Sequence, residues 1–233
     1  MRGDVAGMSI CLIIGADRGI GLSVSKTLAR RGDHVIAACM HDGGAYAGTS
    51  VKIIPNVDVT SAAAVAGMAD ALKRANARIE VVVHVAGVLG LDALGAIDYD
   101  DMRRQFEINT LGPLRSIEAV LPFLAAGAKV GIITSRVGSL SDNGSGQMYA
   151  YRVSKAGANM VALNLHHDLS KKGIAVSALH PGMVATDLTK DYPGDFKYIT
   201  PDEAAAGLIA RMDELTLERS GAFWHANGEK LGW

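Results

Sequence analysis

Short apolar runs rich in β-branched residues alternate along this chain with longer, alanine-rich stretches whose apolar positions recur at helical spacing. Residues 10–14, 34–39, 52–54, 79–85, 129–134 and 174–179 read as strands, with a seventh near 222–224. Their almost unbroken apolar character predicts burial on both faces, the habit of parallel sheets. Helices are predicted between them near 20–31, 62–76, 101–124, 149–172 and 201–215. The last has a legible start, since Thr200 can cap it, Pro201 suits the first helical position and Glu203 completes a capping box. Gly32 and Gly173 fall where a helix C-terminus wants a glycine. Strand and helix alternating in this way imply an α/β fold, a doubly wound parallel sheet of about seven strands with helices on both faces. No repeat or low-complexity linker interrupts the pattern. Residues 8–233 therefore read as a single domain, with 1–7 as an N-terminal extension and Met8 as an alternative start.

Composition narrows the function classes. The 233 residues are 49% hydrophobic with a formal charge of −1, which offers no electrostatic attraction to nucleic acid or an anionic membrane. The basic pairs Arg30-Arg31, Arg103-Arg104 and Lys171-Lys172 fall near helix ends or on solvated faces. Cys11 and Cys39 each lie inside an apolar, strand-like run, a placement that suits buried thiols in a reducing cytosol and predicts a cytoplasmic protein. The first apolar run is too short to span a bilayer and leads straight into a glycine-rich turn, so no signal peptide or membrane anchor is expected. No metal is implied. The seven histidines are scattered, His166-His167 are adjacent rather than on one helix face, and neither cysteine has a chelating partner nearby.

Two patterns carry chemistry. The turn Gly15-Ala16-Asp17-Arg18-Gly19-Ile20-Gly21 follows the first strand and opens a helix, so its amides and the helix N-terminus can face a pyrophosphate. Its G-x-x-x-G-x-G spacing differs from the general dinucleotide fingerprint, and a tight strand-to-helix connection that binds nothing has the same look. Far downstream, Tyr151 and Lys155 stand four apart, on one face of a predicted helix. A free phenol titrates near ~10. A neighbouring ammonium favours its ionised form and brings it toward general acid–base work. By itself this is also the spacing of an exposed surface pair.

Taken together in order, further segments make the chain from Met8 onward resemble the short-chain dehydrogenase/reductase family. Gly15, Asp17, Arg18, Gly19, Ile20 and Gly21 match its cofactor loop, Asp58-Val59 the acidic pair that meets adenine, and Ala86-Gly87 the end of its N-N-A-G segment. Asn109, Ser135, Tyr151 and Lys155 match its catalytic tetrad, and Pro181, Gly182, Val184 and Thr186 the segment that meets nicotinamide. The stretch 138–152 and the ending 220–233 look like the C-factor and sniffer-like carbonyl reductase branch, where the serine-to-tyrosine separation, here sixteen residues, is also long. That favours Ser135 over Ser139 and Ser141. Tyr149 is a decoy, because the residue four after it is Val153.

The resemblance implies a Rossmann-like fold and an NAD(P)-dependent oxidoreductase moving hydride between nicotinamide and a carbonyl or alcohol. Tyr151 would be the general acid/base, Ser135 would bond the same oxygen, Lys155 would serve the phenol and the ribose, and Asn109 would position a water. A cofactor-binding signalling or scaffold protein without turnover, and a non-redox lyase or isomerase, remain as alternatives. Substrate choice would fall to the loop 188–199 with residues 89–91, Arg136 and Met148. Three positions depart from the pattern. Ile14 replaces a threonine, His84-Val85 replaces paired asparagines, so that an anchor is lost or remade by His84, and Met40 replaces an arginine after strand two. Cofactor choice is divided. The matching position for a ribose-binding carboxylate is Cys39, and Arg18 can meet a 2′-phosphate, whereas Asp17 opposes it. NADP(H) is expected to be preferred, with NAD(H) possible. Apolar positions on the helices carrying Asn109 and Tyr151 predict a homodimer or homotetramer.

Overall fold

A computed structural model describes residues 10–192 and 194–233. The predicted extension 1–7 and Met8 lie outside the described residues. Among the described residues eight strands form one sheet: β1 (Ile10–Ile14), β2 (His34–Ala38), β3 (Lys52–Ile54), β4 (Ile79–His84), β5 (Leu124–Ile133), β6 (Ala175–His180), β7 (Phe223–His225) and β8 (Lys230–Leu231). Their order is β3-β2-β1-β4-β5-β6-β7-β8. Every pair through β7 is parallel, and β8 adds antiparallel to β7. Strand order reverses between β1 and β4, so the connections leaving these neighbours diverge and open a crevice at their carboxyl ends.

Alternate side chains of β1 serve opposite cores, as period-two geometry requires. Leu12 and Ile14 pack with Met68 and Leu72 of α2 (Ala62–Arg74), Ile117 of α4 (Gly112–Val120) and Ala162 of α5 (Tyr149–Leu169). Cys11 and Ile13 pack with Val24 and Leu28 of α1 (Gly19–Arg31) and with Leu208 and Met212 of α6 (Pro201–Asp213). Both cysteines are free and buried, and desolvation pushes each thiol up to about 12. The capping box of α6 is present, Thr200 Oγ1 accepting from the Glu203 amide and the Glu203 carboxylate accepting from Thr200 N.

The predicted helix 101–124 is interrupted. α3 (Tyr99–Phe106) runs into a wide turn over Glu107–Leu111, where Gly112 N donates five residues back to the Glu107 carbonyl, and α4 follows. Pro113 explains the break, because it has no N–H to give the Asn109 carbonyl four residues earlier. β5 begins at Leu124, five residues before the predicted start, through a register shift against β4 and a left-handed Gly127 (φ 77°). The eighth strand is two residues long, too short for a pattern to announce.

Candidate active site

The glycine turn is shaped by close backbone approach. A Cβ on Gly15 (φ 81°) would lie 2.4 Å from Ala86 N, and one on Gly21 would lie 2.2 Å from the Gly15 carbonyl. Only glycine lets the β1–α1 turn lie against Ala86-Gly87 at the end of β4. Main-chain bonds complete the junction: Val85 N and Ala86 N donate to Ile14 O, while Gly15 N and Ala16 N donate to Ala38 O. The Ile14 side chain lies in the core, so the missing threonine costs this junction no main-chain bond. Gly19 opens α1 beneath Thr186, whose methyl would be 3.3 Å from a Cβ there, and Ile20 and Gly21 follow in the first turn. Pro181 is buried, Gly182 is left-handed (φ 93°), and the strand-like bonds of Met183 and Ala185 to Ile199 carry Val184 and Thr186 back over the glycine turn.

Charged residues of the turn are already engaged. Asp17 accepts from the Met40 amide at 2.8 Å and the His41 amide at 2.9 Å, with His41 Nδ1 at 3.1 Å. Burial works to raise its pKa, but these donors outweigh it and hold the carboxyl below its ordinary value. A carboxylate therefore does stand at the exit of β2, supplied by Asp17, whereas Cys39 is wholly buried. Arg18 pairs with Asp187 at 3.1 Å, both side chains being exposed. Asp58 Oδ1 accepts from the amide and hydroxyl of Thr60, and Val59 is buried against Gly112 while its carbonyl accepts from Arg115.

Ser135 lies two residues past the end of β5, while Tyr151 and Lys155 lie one turn apart on α5, and all three are buried. Lys155 Nζ is 5.7 Å from the Tyr151 ring centroid and donates to the Ile133 carbonyl at 3.2 Å. Burial pushes this ammonium down to about 8. Burial likewise raises the Tyr151 phenol above its ordinary value, the Ser135 hydroxyl offsetting part of the rise and Tyr192 adding to it. In the dinucleotide-free protein burial is the dominant influence on this phenol. Ser139 and Ser141 bond each other at 3.1 Å, and Ser139 also accepts from the Asp142 amide, which leaves Ser135 as the serine beside Tyr151.

The Asn109 side chain is fully engaged with protein groups. It clamps Val88, accepting from Val88 N at 2.8 Å and donating to Val88 O at 2.9 Å, and reaches Ser154 Oγ at 2.9 Å. A Cβ on Gly87 would meet Asn109 Oδ1 at 3.1 Å and Lys155 Nζ at 3.4 Å, so these three converge. His84 does not remake an anchor through Nε2, which is buried without a hydrogen-bond partner among the described residues. Burial, with the Lys155 charge, pushes its imidazole down to about 3. Arg136 pairs with Asp142 and Glu229 and so is committed toward the chain's C-terminal strands. Met148 is buried, and residues 89–91 are half-buried to exposed.

Asp92 was not foreseen. Its carboxylate accepts from Tyr149 N at 2.5 Å and Ala150 N at 2.9 Å at the start of α5, and its carbonyl accepts from Met148 N. It is 57 residues from Tyr149, and nothing local marks it as a cap.

Among the described residues no group of three or more ligating side chains could hold a metal, and no helix is long and apolar enough to cross a membrane. Comparison with known proteins agrees with the geometry. Residues 9–195 match the short chain dehydrogenase family. The chain is 59% identical over 226 residues to the 1-hydroxy-2-glutathionyl-2-methyl-3-butene dehydrogenase of Rhodococcus sp. (strain AD45), covering 97% of this chain and all of that protein. It is 42% identical over 158 residues to the C-signal protein of Myxococcus xanthus, covering 66% of this chain and 93% of that one. The NADPH-bound carbonyl reductase from chicken fatty liver superposes with a TM-score of 0.87 at 27% identity, covering 97% and 99% of the two chains.

Proposed function

The chain belongs to the short-chain dehydrogenase family and is an oxidoreductase of that kind, and on this footing we propose that it interconverts an alcohol and a carbonyl compound with an NAD(P) cofactor. The observation that carries the reading is the buried Ser135–Tyr151–Lys155 set at the carboxyl end of the sheet. Lys155 supports a dinucleotide there. A fully buried ammonium with one backbone carbonyl partner has further N–H donors to satisfy, and ribose hydroxyls suit them. The glycine turn, Asp58, Ala86-Gly87 and the 181–186 segment would hold the rest. When bound, the nicotinamide supplies or accepts the hydride.

Tyr151 would hold the proton that passes to a carbonyl oxygen, or take it from an alcohol. Ser135 would bond that same oxygen and stabilise charge developing on it. Lys155, pushed down to about 8, gains an anionic partner whenever the phenol ionises, and so favours the phenolate in the closed, dry site. Among substrates, the 59% identity to the Rhodococcus dehydrogenase supports an alcohol carried beside a glutathionyl thioether. The 188–199 loop, with Leu188, Phe196 and Tyr198 partly exposed, would cover the organic part. NADP(H) is the favoured cofactor on the likeness to the NADPH-bound reductase and on Arg18.

A homodimer is part of the same proposal. Tyr99, Phe106, Leu114, Val153 and Met160 are exposed apolar side chains on α3, α4 and α5, and a groove lined by Tyr99, Met102, Arg103, Phe106, Glu107 and Val153 runs between α3 and α5. The test follows reduced dinucleotide while the protein meets simple alcohols, carbonyl compounds and 1-hydroxy-2-glutathionyl alkenes, with NADP(H) and NAD(H) in parallel. Steady turnover is the expected result. Tight dinucleotide binding without turnover of any member would instead favour a binding-only protein.

A further inference from the structure

The start of α5 is held locally by Arg152, whose guanidinium donates to the Gly146 and Gln147 carbonyls, and from far along the chain by Asp92. Gln147 and Met148 both sit in the left-handed region (φ 58° and 51°), a conformation that side-chain-bearing residues adopt rarely, and α5 has no side-chain cap at its N-cap position. Four amides of a helix's first turn lack intrahelical partners. Here two of them, Tyr149 and Ala150, donate to the carboxylate of Asp92, and Met148 N donates to the Asp92 carbonyl. The segment leading to Asp92 is itself held down. Asn109 clamps Val88 by two bonds, and Gly90 lies so near α3 that a Cβ would be 2.2 Å from Asp101 Oδ2 and 2.5 Å from Gln105 Nε2. Residues 88–92 thus form a strap from β4 across α3 to the first turn of α5.

Tyr151 is the third residue of α5 and Lys155 the seventh. The two depend on different restraints. The Lys155 turn is tied independently, through Thr110 Oγ1 to the Ser154 carbonyl at 2.7 Å, Thr134 Oγ1 to the Lys155 carbonyl at 3.1 Å, and a Gly138 packed against Lys155 so closely that a Cβ would be 2.6 Å from its carbonyl carbon. Only the first turn leans on Asp92. We propose that Asp92 is the positioning residue of the reaction, holding the Tyr151 phenol in register with Ser135 from the far side of the cleft. Because residues 89–91 would also border the substrate, the strap couples substrate contact to placement of the proton donor.

This rests on Tyr151 being the general acid/base, so the experiment carries Tyr151→Phe as its control. In Asp92→Ala, kcat should fall roughly ten- to hundredfold, the scale of a misplaced reacting group. Dinucleotide affinity should stay within about twofold, since Lys155 keeps its ties. Amides 149–152 should lose hydrogen-exchange protection while 155–165 keep theirs. Asp92→Asn, which keeps one carbonyl acceptor, should recover part of the rate, and it is the variant to read if the alanine protein does not fold. Near-normal kcat in a folded Asp92 variant overturns the proposal, as does loss of dinucleotide affinity in proportion to kcat. If Tyr151→Phe turns over normally, the general-acid reading fails instead.

Discussion

The two halves of the cleft are built by different means. The half proposed for the dinucleotide is made of main chain: the β1–α1 turn reaches Ala86 through missing Cβ atoms and amide-to-carbonyl bonds between neighbouring strands. The half proposed for the reaction is held by side chains that cross long distances, Asn109 to Val88 and Ser154 and Asp92 to α5. Backbone geometry holds any ligand that offers a phosphate, whereas a proton donor needs a particular atom in a particular place. The first half rests on its glycines. The second depends on single groups.

The largest effect should come from splitting the halves apart at Tyr151. Removing its hydroxyl in Tyr151→Phe leaves the ring packed and the dinucleotide half untouched, so turnover should drop by ~10²–10⁴ while dinucleotide affinity is nearly unchanged. Steady-state kinetics beside a fluorescence titration of bound dinucleotide reads both. A variant that keeps its rate would show that the phenol is not the donor.

Lys155 is where the halves meet, and its replacement should damage both. Lys155→Met is expected to lower kcat and weaken dinucleotide binding together. It also has a pH signature in protein free of dinucleotide. Burial holds the ammonium at about 8 against an ordinary 10.5, so ionisation is disfavoured in the fold but not in the unfolded chain. Wild-type protein therefore carries the full cost below about pH 8 and sheds it as pH rises toward 10.5. The methionine variant should be the more stable by up to roughly 3 kcal/mol at neutral pH, the gap closing through that window. Paired denaturant titrations at several pH values check it. A gap that does not vary with pH would mean the ammonium is better solvated than its burial indicates.

The same contrast explains what could be read from the residues in advance. Helix and strand alternation announced the doubly wound sheet, and the glycine turn and the Tyr151–Lys155 spacing announced both ends of the site, because these signals are local and periodic. What escaped was non-local or proline-driven. Pro113 broke a helix whose apolar period continued across it, and β5 took up residues 124–128 that had read as helix end and loop. Asp92 has no local signal, and only the folding of residues 88–92 across α3 carries it to Tyr149. His84 left two readings open, an anchor lost or one remade, and its Nε2, buried without a partner among the described residues, favours the loss.

Cofactor preference should give the smallest effect, since it turns on exposed charges at the outer edge of the dinucleotide half. Arg18 is free to leave Asp187, because an ion pair between side chains exposed at 79% and 71% contributes little in water. Once released, its planar guanidinium suits a 2′-phosphate. Asp17 acts against this. Its carboxylate occupies the amides of Met40 and His41 at the exit of β2, donors that a 2′-phosphate would otherwise find, and it would repel that phosphate besides. A ribose 2′-hydroxyl could donate to the same carboxylate, so Asp17 sets a ceiling on any preference for NADP(H). Arg18→Ala should lower the ratio of kcat/KM for NADPH over NADH by roughly three- to tenfold, the value of one exposed charge-assisted contact. Asp17→Ser should raise that ratio by a similar factor by freeing two amides and removing the repulsion. If Arg18→Ala leaves the ratio unchanged, the 2′-phosphate is not read by this arginine. If Asp17→Ser lowers it, the carboxylate serves to order the Met40–His41 turn and not to exclude phosphate.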